Sequence, residues 1–170
     1  MNLKPFLILS ILISLLIIPT ILFIGKENKS GSYDFLADTQ ELVEIDGRKY
    51  RMEVDLYRDF MTGVRADSSK LLAGITIVAI DEETFPILLS LDRIWIFNKN
   101  TSEVWESTFT SQTFEEEKHL YRKVARYGPK WEVGGVVDVY VRTIIQLPSN
   151  IFHRVLYYLK SSNQTIGAVY

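Results

Sequence analysis

Two hydrophobic patterns divide the chain. From Phe6 to Gly25 it reads FLILSILISLLIIPTILFIG, without a charge. From residue 41 onward, short runs of alternating apolar and polar residues are separated by turn formers. The first pattern suits lipid: a helix of that length, at about 1.5 Å per residue, spans about 30 Å, the hydrocarbon thickness of a bilayer. A helix buried in a water-soluble protein would need a polar face, and this stretch offers only Ser10, Ser14 and Thr20. A cleaved signal peptide, with Lys4 as its basic region and Phe6 to Ile18 as its core, needs small residues at −3 and −1. Cleavage after Gly25 puts Phe23 at −3, and Ser30 and Ser32 are reached only past Lys26, Glu27 and Lys29. The favoured reading is an uncleaved signal-anchor, with a cleaved leader as the alternative. Pro19 removes the hydrogen bond to the Leu15 carbonyl and predicts a kink, or simply the end of a signal core. Lys4 on one side stands against Lys26 and Lys29 on the other, so charge leaves the orientation nearly balanced. The likeness to an export signal places the rest of the chain outside the membrane.

The second pattern predicts strands. KENKSGS, Lys26 to Ser32, reads as a juxtamembrane linker. Leu42 to Ile45, Asp46-Gly47 and Arg48 onward predict a hairpin with a two-residue turn. Tyr50, Met52, Val54 and Leu56 alternate with Arg51, Glu53 and Asp55, which puts one face in a core and the other in water. Ile75 to Ile80 is apolar on both faces, as a central strand covered on both sides would be. Arg93 to Asn98 and Glu103 to Phe109 predict a second hairpin around Asn98-Lys99-Asn100-Thr101. In Val136 to Leu147, Val137, Val139, Val141, Thr143 and Ile145 share one face, and Asp138, Tyr140 and Arg142 the other. Val155 to Leu159 predicts a last strand. Between Phe114 and Tyr127 the signals conflict. Thr113 with Glu116 fits a capping box and Gly128-Pro129 a helix stop, yet Leu120, Arg122, Val124 and Arg126 alternate. The expectation is a helical turn leading into a strand. The fold class that follows is mainly β: an antiparallel β-sandwich, immunoglobulin-like, behind an N-terminal membrane or signal helix. The expected division is 1–25 for the anchor, 26–40 for a linker and extension, and 41–170 for the sandwich.

Composition changes this picture in two places. The formal net charge of −2 gives no long-range attraction to phosphate backbones, which argues against generic nucleic-acid binding. The absence of cysteine removes disulfides, thiolate metal sites and cysteine nucleophiles.

Candidate chemistry is sparse. His119 and His153 lie far apart, and no G-x-S-x-G elbow accompanies them. The carboxylates of Asp81-Glu82-Glu83 and Glu115-Glu116-Glu117 are consecutive, so they point apart rather than converge on a cation. Neither a catalytic residue, nor a metal site, nor a cofactor is expected. Trp95 and Trp105, on neighbouring strands, suggest a cross-strand aromatic pair, with core packing the simpler role for Trp95. Trp131 lies in a Gly/Pro-flanked loop, RYGPKWEVGG. With Arg126, Tyr127 and Lys130 it is expected either to form an aromatic-basic contact surface for a partner or to plug the open end of the sandwich. N-x-[S/T] sequons stand at Asn28, Asn100 and Asn163.

The stretches Arg93-Ile94-Trp95-Ile96, Val104-Trp105-Glu106, Gly128-Pro129-Lys130-Trp131 and Val137-Asp138-Val139 resemble small exported bacterial β-sandwich proteins of uncharacterised function. The likeness runs from about Leu72 to Tyr158. It implies an exported sandwich module and carries no catalytic residue across. Members of that type begin with a cleaved or lipidated leader, and this chain has no lipobox cysteine. The expected function is therefore a non-enzymatic, membrane-tethered extracytoplasmic binding or accessory module, contacting a protein partner through Tyr127, Lys130 and Trp131. The alternatives are an enzyme or small-ligand carrier with an inter-sheet cavity, and a subunit of a membrane complex contacted through the kinked helix.

Overall fold

The computed structural model describes residues 29–61, 69–85, 89–110, 113–114, 119–146 and 154–170. The expected membrane segment, 6–25, lies outside these residues. No helix among the described residues is long and apolar enough to cross a membrane. The chain divides into two compact units, Met1–Ala37 and Asp38–Tyr170. In the first, Lys29–Leu36 forms two short 3-10 pieces separated by a kink at Tyr33, within part of the stretch expected as linker. Its Gly/Ser-containing start suits the short turns from which such helices are built.

The second unit is mainly β, with two sheets packed face to face. The strands are β1 (Leu42–Ile45), β2 (Arg48–Asp59), β3 (Leu71–Ala79), β4 (Leu89–Asn98), β5 (Val104–Ser107), β6 (Thr113–Phe114), β7 (Leu120–Ala125), β8 (Val136–Gln146), β9 (Arg154–Thr165) and β10 (Gly167–Val169). One sheet runs β1-β2-β3-β7-β6, with β10 also pairing β2; the other runs β5-β4-β8-β9. Every pairing between these strands is antiparallel except β10 with β2. The chain changes sheet after β3, β5, β7 and β9, so β3 lies beside β7 and β4 beside β8 at the two sheet centres.

The first hairpin forms as its sequence requires. Asp46 (φ 52°) and Gly47 (φ 75°) both adopt the left-handed conformation that a twist-matched two-residue turn demands. Tyr50, Met52 and Leu56 are buried while Arg51, Glu53 and Asp55 face water. The core is made by the inner faces of both sheets, with Leu71, Ile75 and Ile77 from β3, Ile94 and Ile96 from β4, and Val137, Val139, Val141 and Ile145 from β8. Leu159 of β9 and Ile166, where the chain crosses to β10, complete it.

Two expectations change and one is met in part. Ile80 falls outside β3 and is exposed. At Gly74 of β3, the Arg122 guanidinium and Asp55 lie over the backbone. The conflicted stretch resolves into a strand over Leu120–Ala125, because pairing with β3 from Ala73 to Val78 outweighs local helical preference; residues 115–118, where the helical turn was expected, lie outside the described residues. The last long strand runs to Thr165, well past Leu159.

Candidate functional site

Residues 126–135, between β7 and β8, sit at the end of the sandwich shared with the β4–β5 turn and the end of β9. This loop is fixed from beneath. Gly128 donates its N–H to the Leu71 carbonyl at 2.9 Å, and Leu71 donates back to the Pro129 carbonyl at 3.3 Å. Gly128 lies so close to Trp105 and Leu71 that an added Cβ would meet the Trp105 ring at 2.8 Å. Only glycine lets the backbone approach that closely.

Trp131 turns inward. It is 6% exposed and belongs to the core cluster. Its indole N–H donates to Glu103 Oε2 at 2.6 Å, which satisfies the one polar group of a buried ring. Arg58, at the end of β2, donates to the Trp131 carbonyl at 3.2 Å and to the Ser69 carbonyl at 3.0 Å. A guanidinium and an indole thus close this end, which is the plug geometry.

Tyr127 and Lys130 point the other way. Tyr127 is 78% exposed and holds φ at 67°, a conformation bulky residues rarely adopt. Lys70 Nζ lies 5.8 Å from the centre of its ring. Lys130 and Arg126 are exposed. The loop therefore does not bring Tyr127, Lys130 and Trp131 to one surface: two face water and one faces the core. Beside them a shallow cleft of about 420 Å³ is lined by Asn98, Asn100, Thr101 and residues 130–135. Compared with protein-family models, with curated proteins and with solved structures, the chain matches none of them.

The other sequence candidates disperse. Trp95 and Trp105 do not pair, since the register sets Trp105 opposite Ile96 and Trp95 opposite Glu106. Side chains alternate across a strand, so Trp105 faces the core and Trp95 the outer face of its sheet. There Trp95 is still buried, against the Tyr158 ring at 6.1 Å. Asp81 is bound by Arg48 through two hydrogen bonds, at 2.6 and 2.8 Å, and Arg48 also donates to the Glu83 and Thr84 carbonyls. The guanidinium pulls the Asp81 carboxyl down to about 2. His119 lines a second cleft, of about 510 Å³, with Arg51, Glu53 and Glu82 on the outer face of the β2-β3-β7 sheet. No group of three or more His, Asp or Glu among the described residues is placed to hold a metal ion. His153 and Glu115-Glu116-Glu117 lie outside the described residues. The side chain of Asn100, in the β4–β5 turn, accepts from the Val136 N–H, and that of Asn163, within β9, accepts from Lys99. Asn28 lies outside the described residues.

The sequence reading put Asp138, Tyr140 and Arg142 on one outer face but missed what packs there, on the β5-β4-β8-β9 sheet. Phe97 packs edge-on to Tyr140 at 5.3 Å, Lys160 lies over Tyr140 at 5.4 Å, and Arg142 binds Asp92 with both Nε and Nη2. Its signal was present as alternation in β4 and β8, but a bulge at Asp92 conceals it.

Proposed function

We propose that the chain is an immunoglobulin-like module held on the outer side of a membrane by its apolar N-terminal segment, where it acts as a non-enzymatic binding or accessory protein. The strand order supports the fold assignment. β2-β3-β7-β6 and β5-β4-β8-β9 correspond to the A-B-E-D and C′-C-F-G sheets of that fold. On this reading the module belongs with the exported sandwich proteins that its Trp-containing strands resemble.

The observation that carries the binding assignment is the contrast between interior and end loop. Ile75, Ile94, Ile96, Val139 and Val141 are fully buried between the sheets, which leaves that space to side chains rather than to a substrate. The 126–130 loop, clamped by Gly128, holds Tyr127 out into solvent. A rigid scaffold presenting an exposed loop is the usual arrangement for recognition. Tethering would confine the loop to the membrane surface and raise its effective concentration for neighbours there.

Two measurements test this. An alkaline phosphatase fusion after Tyr33 should be active, and an inactive fusion would reject export. A photo-crosslinking residue at position 127 of the full chain, in its own membrane, should capture a neighbour that the same residue at position 49 does not. Equal capture at both positions, or none at 127, would reject the loop as the contact.

A further inference from the structure

Several cations of the domain are held by carboxylates, whereas those near Tyr127, like Lys49, Lys123, Arg154 and Lys160, make no ion pair among the described residues. Arg48, Arg51, Arg93, Lys99, Arg122 and Arg142 each pair with a carboxylate. Lys70, Arg126 and Lys130 are exposed and make no ion pair among the described residues. The hydrogen bonds between Leu71 and Gly128-Pro129 bring Lys70 beside the loop that carries the other two. Lys70 thus lies 5.8 Å from the centre of the presented ring, and Arg126 and Lys130 stand on the same loop, three cations without an ion pair among the described residues on a chain whose net charge is negative. Glu132, also exposed, is the acidic residue of the same loop.

The backbone is held under strain at the residue that carries the ring. Left-handed φ is a strained conformation that bulky non-glycine residues rarely adopt. Tyr127 bears that strain because Gly128 is fixed against Trp105 and Leu71 and the chain must turn just before it. Strain of this kind at an exposed aromatic points to a function for the ring.

We propose that Tyr127, with Lys70, Arg126 and Lys130, forms a site for an anionic polysaccharide. A sugar ring stacks its C–H face on the phenol, and carboxylate groups of the polymer meet the three cations. The surroundings favour a glycan over the other anionic partners. A stable protein interface needs an apolar centre of several residues and about 800 Å² on each side. Binding to a lipid surface needs a broad apolar face. The only exposed large apolar side chain near the ring on this loop is Val133. One flat ring flanked by cations matches the alternation of ring faces and charges along a uronate chain. This inference rests on the loop being the contact surface.

The test is a titration of the full chain in neutral detergent with polygalacturonate, neutral dextran, polyglutamate and anionic phosphatidylglycerol vesicles. Polygalacturonate should bind and weaken with added salt, and dextran should not bind. Tyr127→Ala, and Tyr127→Asn, which keeps the left-handed backbone, should each weaken binding at least about tenfold, as should Lys70→Glu with Lys130→Glu. All variants should keep the parent melting temperature to within a few degrees. No binding of polygalacturonate, equal or tighter binding of polyglutamate or of the vesicles, or affinity unaffected by the Tyr127 variants would overturn the proposal. Crosslinking at position 127 without polygalacturonate binding would reject the ligand class alone. Loss of both would reject the loop as well.

Discussion

The indole N–H of Trp131 points at the Glu103 carboxylate across 2.6 Å, joining the β7–β8 loop to the turn between β4 and β5. The ring behind that bond is core, not surface. Trp131→Ala is therefore expected to destabilise the fold by about 3–5 kcal/mol, the usual cost of emptying a large aromatic site. Trp131→Phe keeps most of the packing and loses a charge-assisted hydrogen bond, at about 1.5–3 kcal/mol. Urea unfolding of both variants checks the order. A Trp131→Ala protein as stable as the parent would mean that the ring does not plug the sandwich.

Gly128 should also be intolerant, to a smaller degree and for a different reason. A methyl group there would sit 2.8 Å from the Trp105 ring and 2.9 Å from Leu71 Cβ, and neither neighbour is the end of a flexible chain. Gly128→Ala is expected to cost about 1–3 kcal/mol through overpacking. Gly134→Ala is a useful contrast, because its added carbon meets nothing within 4 Å and the penalty comes only from its φ of 86°. Comparing the two by thermal unfolding separates crowding from backbone strain.

The Arg48–Asp81 pair sets an acid limit. Asp81 has its carboxyl lowered to about 2 by Arg48, against an ordinary value of about 3.9 in the unfolded chain. A depressed carboxyl contributes stability above its unfolded value, and that contribution is lost as pH falls through the folded value. The pair should therefore stabilise the β3–β4 connection fully above about pH 4 and progressively less down to about pH 2. Asp81→Asn should flatten the stability curve in that window. If the parent and the variant change in parallel from pH 5 to 2, the pair plays no such part.

Thr143 faces the core at 1% exposure, and its hydroxyl has no hydrogen-bond partner among the described residues. An unsatisfied buried polar group costs about 1–3 kcal/mol. Thr143→Val preserves the β-branched shape and removes the cost, so it should stabilise the domain by about 1 kcal/mol. A clear loss of stability would mean that the hydroxyl is paired in solution.

Periodicity made the strands legible because one side of each had to be apolar. The turn at Asp46-Gly47, the burial of Tyr50, Met52 and Leu56, and the Val137 to Ile145 core face follow from side chains alone. The sequence around Trp131 suits a plug and a contact surface alike, because a loop has no period to set which way its side chains face.

What the sequence determined by itself was the division of the chain into an apolar stretch and alternating strands, since hydrophobicity and turn chemistry are local properties. Tertiary structure decided the rest. The extra residue at Asp92 shifts the core face of β4 from Leu89 and Leu91 to Ile94 and Ile96, leaving Trp95 outside. Pairing with β3 made a strand of Leu120–Ala125 against its helical signals, and packing against Trp105 fixed Gly128 and so turned Tyr127 outward. Each of these depends on contacts between residues distant along the chain, where register and close packing outweigh the small preferences of a single segment.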